Sequence, residues 1–251
     1  MISNSENTER PSLPAAPPRR SAAMAINLWF EKHWLLTFNT FWGGFVILPW
    51  LAPIFMHLGW ALPGRILYII YSFFCHQLPE RSWFLFGPQF SYSQAQIAAA
   101  WGRTLPEISN ELIRRQFVGT AELGWKVAWS DRMVSMYGAI FVLGLIYAVL
   151  REKKFRVPPL PWWLFGLFIL PMALDGATHM INDVLRADFR QTNEWAALLT
   201  GHVFPTTFYA GDQFGSLNSL LRFITGVLFG YGVVFFLWPL MDREFSPEQE
   251  I

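Results

Sequence analysis

The segment Phe74-Cys75-His76-Gln77-Leu78-Pro79-Glu80-Arg81-Ser82 sets a thiol, an imidazole, an amide, a carboxylate and a guanidinium at the end of an apolar run. Polar groups beside a stretch that can lie in a bilayer are costly and are kept for a purpose. Cys75 is the single cysteine of the chain, which excludes an internal disulfide and any multi-cysteine metal site. A thiol near a helix C-terminus faces the negative end of the dipole, which disfavours the thiolate, so a small buried hydrophobe is the preferred role over a catalytic thiol. On a helix His76 points about 100° away from Cys75. His76 is either a metal ligand or a donor to a loop carbonyl. Pro79-Glu80-Arg81-Ser82 reads as a helix restart, with proline in the first turn and glutamate near the positive end.

A second group follows at Asp175, His179 and Asp183, spaced i, i+4 and i+8 and so on one helical face. An imidazole between two carboxylates suits a metal site or a proton relay. The competing reading is a charge network in which a buried Asp175 pairs with Arg132 or Arg222. That reading is weighted above the metal, because an intramembrane acid near intramembrane arginines needs a partner. The candidate metal set is His76, Asp175, His179 and Asp183. Arg132 and Arg222 lie at or inside apolar runs and could hold an anion or a headgroup, or snorkel to the interface. For Arg222 a buried partner is preferred. Haem would need two facing histidines, and only His76 with His179 could supply them, so haem is disfavoured. The sequence contains no phosphate loop, GxSxG or HExxH.

These groups are carried by a chain of 251 residues that is 53% hydrophobic and only 15% charged, against about 25% charged in soluble domains. Trp34, Trp60, Trp129, Trp162, Trp163 and Trp238 fall near the ends of apolar runs, the pattern of an interfacial belt. A net charge of +1 gives no pointer to nucleic acid. The expected fold is all-α, a polytopic helical membrane bundle with spans at 34–58, 62–77, 133–150, 158–182 and 217–241. It has four spans if the short 62–77 does not cross. Pro49 and Pro53 are expected to kink the first span. Residues 1–25 read as a flexible tail with no secretory signal peptide, 26–241 as one membrane domain, and 242–251 as a C-terminal tail. Within the connection 78–132 a surface helix is expected at 106–118, opened by Pro106 and Glu107, with Ile108, Leu112 and Phe117 on one side and Arg114 and Arg115 elsewhere. The second connection is 183–216.

Five crossings would put both long connections, the start of the first span and the polar residues on one side. Those residues are Cys75, His76, Glu80, Arg81, Arg132, His179, Asp183, His202, Asp212 and Arg222, with His57 opposite. The basic link Arg151–Arg156 points to a cytoplasmic opposite side, whereas Arg19, Arg20 and Lys32 point the other way. The link is given the greater weight. The expected location is multi-pass in a bacterial cell (inner) membrane.

The sequence resembles an uncharacterised prokaryotic membrane-protein family, Domain of Unknown Function twenty-eighty-five. Cys75-His-Gln-Leu-Pro-Glu-Arg-Ser82 is similar to its CHQxPERS signature. Ser130-Asp-Arg132-Met133-Val-Ser-Met-Tyr137 is similar to a CxRCxGIY element, Asp175-Gly176-Ala-Thr-His179 to a DGxxQ element, and Ser216-Leu-Asn218-Ser-Leu-Leu-Arg222-Phe-Ile-Thr225-Gly226 to a SxNxxLRxxTG element. Ser130 and Met133 stand where the family has cysteines. A metal or redox site made there by relatives would be lost in this chain, or rebuilt with His179 and carboxylates. The resemblance implies the fold and the polar cluster and brings no reaction. Cys75, Gln77, Pro79, Glu80 and Arg81 form the structural motif, and Arg132, Arg222, Tyr137 and Asn218 the candidate ligand-binding set. The leading function is a binding or catalytic pocket for a metal ion or a small anionic or lipidic ligand, and its rival is a non-catalytic accessory or scaffold subunit. The expected partners are the lipid bilayer and further membrane subunits. A channel is disfavoured, because polar residues do not continue along any span.

Overall fold

A computed structural model describes residues 22–185 and 187–245. Four of its helices are long and apolar enough to cross a membrane: α1 (Ala22–His57), α5 (Asp131–Glu152), α6 (Trp162–Leu185) and α10 (Leu217–Phe245). The expected span 62–77 is instead α2 (Ala61–Ser72), with 12 residues. At 1.5 Å per residue it reaches about 18 Å, short of the roughly 30 Å of hydrocarbon. The all-α polytopic reading holds in its four-span form.

Contacts give the helix directions. Trp42 of α1 stacks on Tyr137, and Asn39 donates to the Gly144 carbonyl, so α1 and α5 are antiparallel. Phe168 meets Tyr231 and Phe165 meets Phe236, so α6 and α10 are antiparallel too. Gly226 lies on Ser135, and Tyr147 donates to Asp242, so α5 and α10 run in parallel. The start of α5, the end of α6 and the start of α10 therefore meet at one end. Four crossings correct the sidedness drawn from five: His57 joins that end, and the start of α1 moves to the link side. The described basic residues Lys32, Arg151–Arg156 and Arg243 then lie together at the link end.

Prolines organise the packing. Pro49 has no N–H and frees the carbonyl of Phe45, and the Tyr71 hydroxyl of α2 donates to that carbonyl at 3.0 Å. Pro239 likewise frees the carbonyl of Phe235, which accepts the Leu160 N–H at 3.0 Å. Each freed acceptor thus fastens a neighbouring segment, as a buried carbonyl needs a partner. Helix α1 continues through Pro49 and Pro53 to His57.

A small antiparallel sheet of order β1-β3-β2 packs on the second half of α1 and was not expected from sequence: β1 is Ser82–Leu85, β2 Gly119–Thr120 and β3 Gly124–Ser130. Strand β3 is buried on both faces, so it carries no period-two alternation to read. Trp129 is fully buried among Phe45, Tyr71 and Tyr137. Pro79–Arg81 is a 3₁₀ turn leading into β1, not a new α-helix. A capped helix, α3 (Gln94–Trp101), follows.

The surface helix expected at 106–118 shrinks to α4 (Glu111–Arg114), capped by Asn110. Glu107 accepts from the Thr104 amide and hydroxyl instead of opening a helix. Ile108 and Phe117 are buried but Leu112 is exposed, so the expected apolar side is absent. Residues 22–25 belong to α1 and 242–245 to α10; the remainder of each expected tail, like Arg19 and Arg20, lies outside the described residues. The second connection carries α7 (Phe189–Thr192), α8 (Glu194–Leu199) and α9 (Thr206–Tyr209).

Close approach of α5 and α10 requires Gly226: a Cβ there would stand 2.1 Å from Ser135 Oγ and 3.0 Å from the Met136 backbone nitrogen. Backbone cannot yield as a flexible side chain can. Gly226→Val should cost about 1–3 kcal/mol or more and lower the thermal unfolding midpoint in detergent. An unchanged midpoint would contradict the packing described.

Candidate functional site

Three helix ends, the 3₁₀ turn that carries Arg81 and the second connection converge on a cluster of four arginines and four aspartates. Arg222 and Asp131, both 2% exposed, form a two-pronged pair: Nε donates to Oδ1 at 2.8 Å and Nη2 to Oδ2 at 2.9 Å. The Ser219 hydroxyl donates to the same carboxylate. Arg222 Nη1 also donates to Asp212 Oδ1 at 2.7 Å, and Nη2 to the Asp212 carbonyl at 2.6 Å. Arg81 Nε donates to Asp212 Oδ2 at 2.9 Å, and its Nη2 lies 3.8 Å from Asp183. Burial raises the pKa of Asp212, but Arg81 and Arg222 outweigh it and hold the carboxyl well below the usual range. Burial opposes the Arg81 charge, while Asp212, Glu80 and Asp183 outweigh it and raise its pKa.

Asp175 joins the other half. Arg132 Nη2 donates to Oδ2 at 2.5 Å, and Arg190 of α7 donates to Oδ1. Arg190 Nη2 is also 2.9 Å from His179 Nε2. Since guanidinium can only donate, that nitrogen of His179 is the acceptor and the imidazole is neutral. Arg190 is fixed by its backbone: its N–H donates to Asn182 Oδ1 at 2.9 Å, and its carbonyl accepts from Asn193 and Asn218. Asn193, fully buried with φ 46°, holds the left-handed turn between α7 and α8. Asparagine tolerates that conformation better than most residues.

The signature segment sits beside the sheet. Cys75 is buried, lies 3.5 Å from Ser130 Oγ, and accepts the Gln77 N–H. Gln77 Nε2 donates to the Tyr68 carbonyl at the end of α2. Glu80, 2% exposed, pairs with buried Arg114 at 2.9 Å and accepts from Gln94. Arg114, expected at the surface, is thus an interior ion. Lys126 is fully buried and donates to the carbonyls of Gln77 and Arg115 at 2.6 and 2.8 Å. Burial outweighs Glu80 and pushes its ammonium down to about 7.

Of the expected residues, Arg132, Asp175, His179, Asp183, Arg222 and Arg81 come together. His76 does not: it is exposed, while His179 is buried and engaged with Arg190. The haem pair is not assembled, and among the described residues no group of three His, Cys, Asp or Glu side chains could hold a metal ion. Tyr137 lies in the aromatic core with Trp42 and Trp129, and Asn218 supports the Arg190 backbone. His202 is exposed and faces Glu194 at 3.8 Å. Asp175 takes Arg190 beside the expected Arg132, and Arg222 takes Asp131. Asp131 is legible in hindsight as an acid at the first turn of an apolar helix; Arg190 gives no local signal. The positions that stand for family cysteines lie at Cys75: Ser130 beside its sulfur, and Met133 in the same apolar cluster.

Residues 121–236 match the model of a family described as "Predicted membrane protein (DUF2085)". That range holds three of the four motifs; the Cys75–Ser82 signature precedes it. The chain is also 26% identical to an uncharacterized protein of Methanocaldococcus jannaschii over 216 residues, covering 84% of this chain and 93% of that protein. No solved structure matches. The chain is thus similar to an uncharacterised membrane-protein family.

Two outcomes follow. Asp175→Asn should leave Arg132 and Arg190 without a carboxylate and cost about 3–5 kcal/mol, read as a lower unfolding midpoint; wild-type stability in the variant would refute the network. The ammonium of Lys126 is disfavoured in the fold, so its penalty is full below about pH 7 and fades as pH rises toward the ordinary lysine value of 10.5. Stability should therefore climb between these values in the wild type, and Lys126→Met should remove that climb. Parallel pH profiles for the two proteins would contradict the buried ammonium.

Proposed function

We propose that this chain is a non-catalytic accessory or scaffold protein of a prokaryotic cell membrane, and that its polar cluster is an internal fastening for the helix ends. One observation supports the reading above all: Arg81, Arg132, Arg190 and Arg222 are matched in number and contact by Asp131, Asp175, Asp183 and Asp212. A metal would need carboxylates that guanidinium groups already hold, and an anion would compete with carboxylates already in place. The expectation from sequence is a bacterial inner membrane, and the similarity to an archaeal protein widens the proposal to prokaryotic cell membranes generally. Basic residues at the link end, Lys32, Arg151, Lys153, Lys154 and Arg156, support a cytoplasmic link and a cluster facing outward.

A second reading, a small-anion site formed by Arg132 and Arg190, has one observation in its favour. The Nε atoms of both are buried without a hydrogen-bond partner among the described residues.

The test is the purified protein in mild detergent, assayed for metal content and for binding of inorganic phosphate and sulfate, with partners identified after crosslinking in intact membranes. The fastening reading expects no near-stoichiometric metal, no saturable anion binding, and one reproducible membrane-protein crosslink. Stoichiometric metal, or saturable anion binding lost in Arg132→Gln, would overturn it.

A further inference from the structure

The opposite end of the bundle carries a different kind of feature. Where α5 ends, the link turns and α10 approaches its own end, they enclose a cleft of about 1140 Å³. Its wall includes four cations, Arg151, Lys154, Arg156 and Arg243, and two acids, Glu152 and Asp242. One acid is already engaged: Asp242 Oδ1 lies 2.8 Å from Arg151 Nε, and Oδ2 accepts from Tyr147. Lys154 and Arg243 make no ion pair with any described residue. The cleft therefore keeps a net positive rim, unlike the balanced cluster at the far end.

Its floor is apolar, formed by Leu35, Val157 and Pro239. Beside it, Phe155 on the link and Trp162 and Trp163 at the start of α6 are exposed by 64%, 79% and 58%. Aromatic side chains exposed at a span end sit at the level of lipid headgroups. A cationic rim over an apolar floor at that depth fits a phosphate ester carrying hydrocarbon. Clustered lysine and arginine next to a span attract anionic lipids at about 1 kcal/mol per residue.

We propose that this cleft binds the headgroup phosphate of an anionic phospholipid, with Lys154 and Arg243 as the principal phosphate-holding residues and Leu35 and Pro239 under the proximal acyl chain. Arg151 is a positioning residue, fixed by Asp242. The site is separate from the arginine–aspartate cluster and does not depend on how that cluster is read.

The experiment is native mass spectrometry of the full chain released from nanodiscs of phosphatidylglycerol mixed with phosphatidylcholine, for wild type and for Lys154→Gln/Arg243→Gln. Thermal unfolding without lipid checks that the variant folds. The proposal expects a preference for phosphatidylglycerol in the wild type that falls roughly thirtyfold in the variant, with the lipid-free midpoint unchanged. A wild type without headgroup preference would overturn it, as would a preference that survives in the folded variant. A second arm adds soluble glycerol phosphate at millimolar concentration. If it displaces phosphatidylglycerol fully, the ligand is a soluble phosphate ester and the lipid assignment falls; retention of the lipid supports it. Should the variant fail to fold, Lys154→Gln alone, on the exposed link, carries the same comparison.

Discussion

Charge neutrality in a poorly solvated place is the constraint on which this structure turns. An ion taken from water costs several kcal/mol unless a partner and hydrogen bonds replace its hydration. Here eight ions gather at one end of an apolar bundle, and no element contributes a complete set of pairs. Arg81 comes from the 3₁₀ turn before β1, Asp131 and Arg132 from α5, Asp175 and Asp183 from α6, Arg190 from α7, Asp212 from the loop before α10, and Arg222 from α10. Each pair can be closed only when the helices are in register, so electrostatics and topology impose the same arrangement. Such an arrangement opposes easy exchange with a metal or anion, since each entering ligand must first break a pair.

The same logic governs uncharged groups. Pro49 in α1 and Pro239 in α10 leave carbonyls without intrahelical donors, and the fold recruits these two to hold something else: Phe45 for α2 and Phe235 for the link. Gln77 and Arg115 serve the carbonyl end of α2, at Tyr68 and Ser72. The signature segment is therefore a joint between the short helix, the sheet and the bundle. Cys75 and Gln77 act through hydrogen bonds, and Glu80 through Arg114. Nothing in its geometry requires a reactive thiol.

How much of this was legible in the residues depended on range. Span positions came from local hydropathy, and the gathering of Arg132, Asp175, His179 and Arg222 followed from alternation of crossings. The short α2 was ambiguous because its residues are as apolar as a span's and only its length of 12 residues sets it apart. The sheet escaped because β3 is buried on both faces and its lysine looks like a surface residue. Arg190 and Lys126 were missed for a common reason: their burial is set by distant partners, Asp175 in one case and the carbonyls of Gln77 and Arg115 in the other. The helix expected at 106–118 failed because Glu107 and Asn110 each spend a side chain on a local turn.

The most direct test is a double-mutant cycle on the buried pair, with Asp131→Asn, Arg222→Gln and their combination compared by reversible unfolding in detergent. Neutralisation as the central constraint predicts that each single change costs several kcal/mol and the combination much less than their sum, a coupling of about 2 kcal/mol or more. Additive effects would mean that the two ions do not depend on each other, and the network would not be what holds the helix ends together.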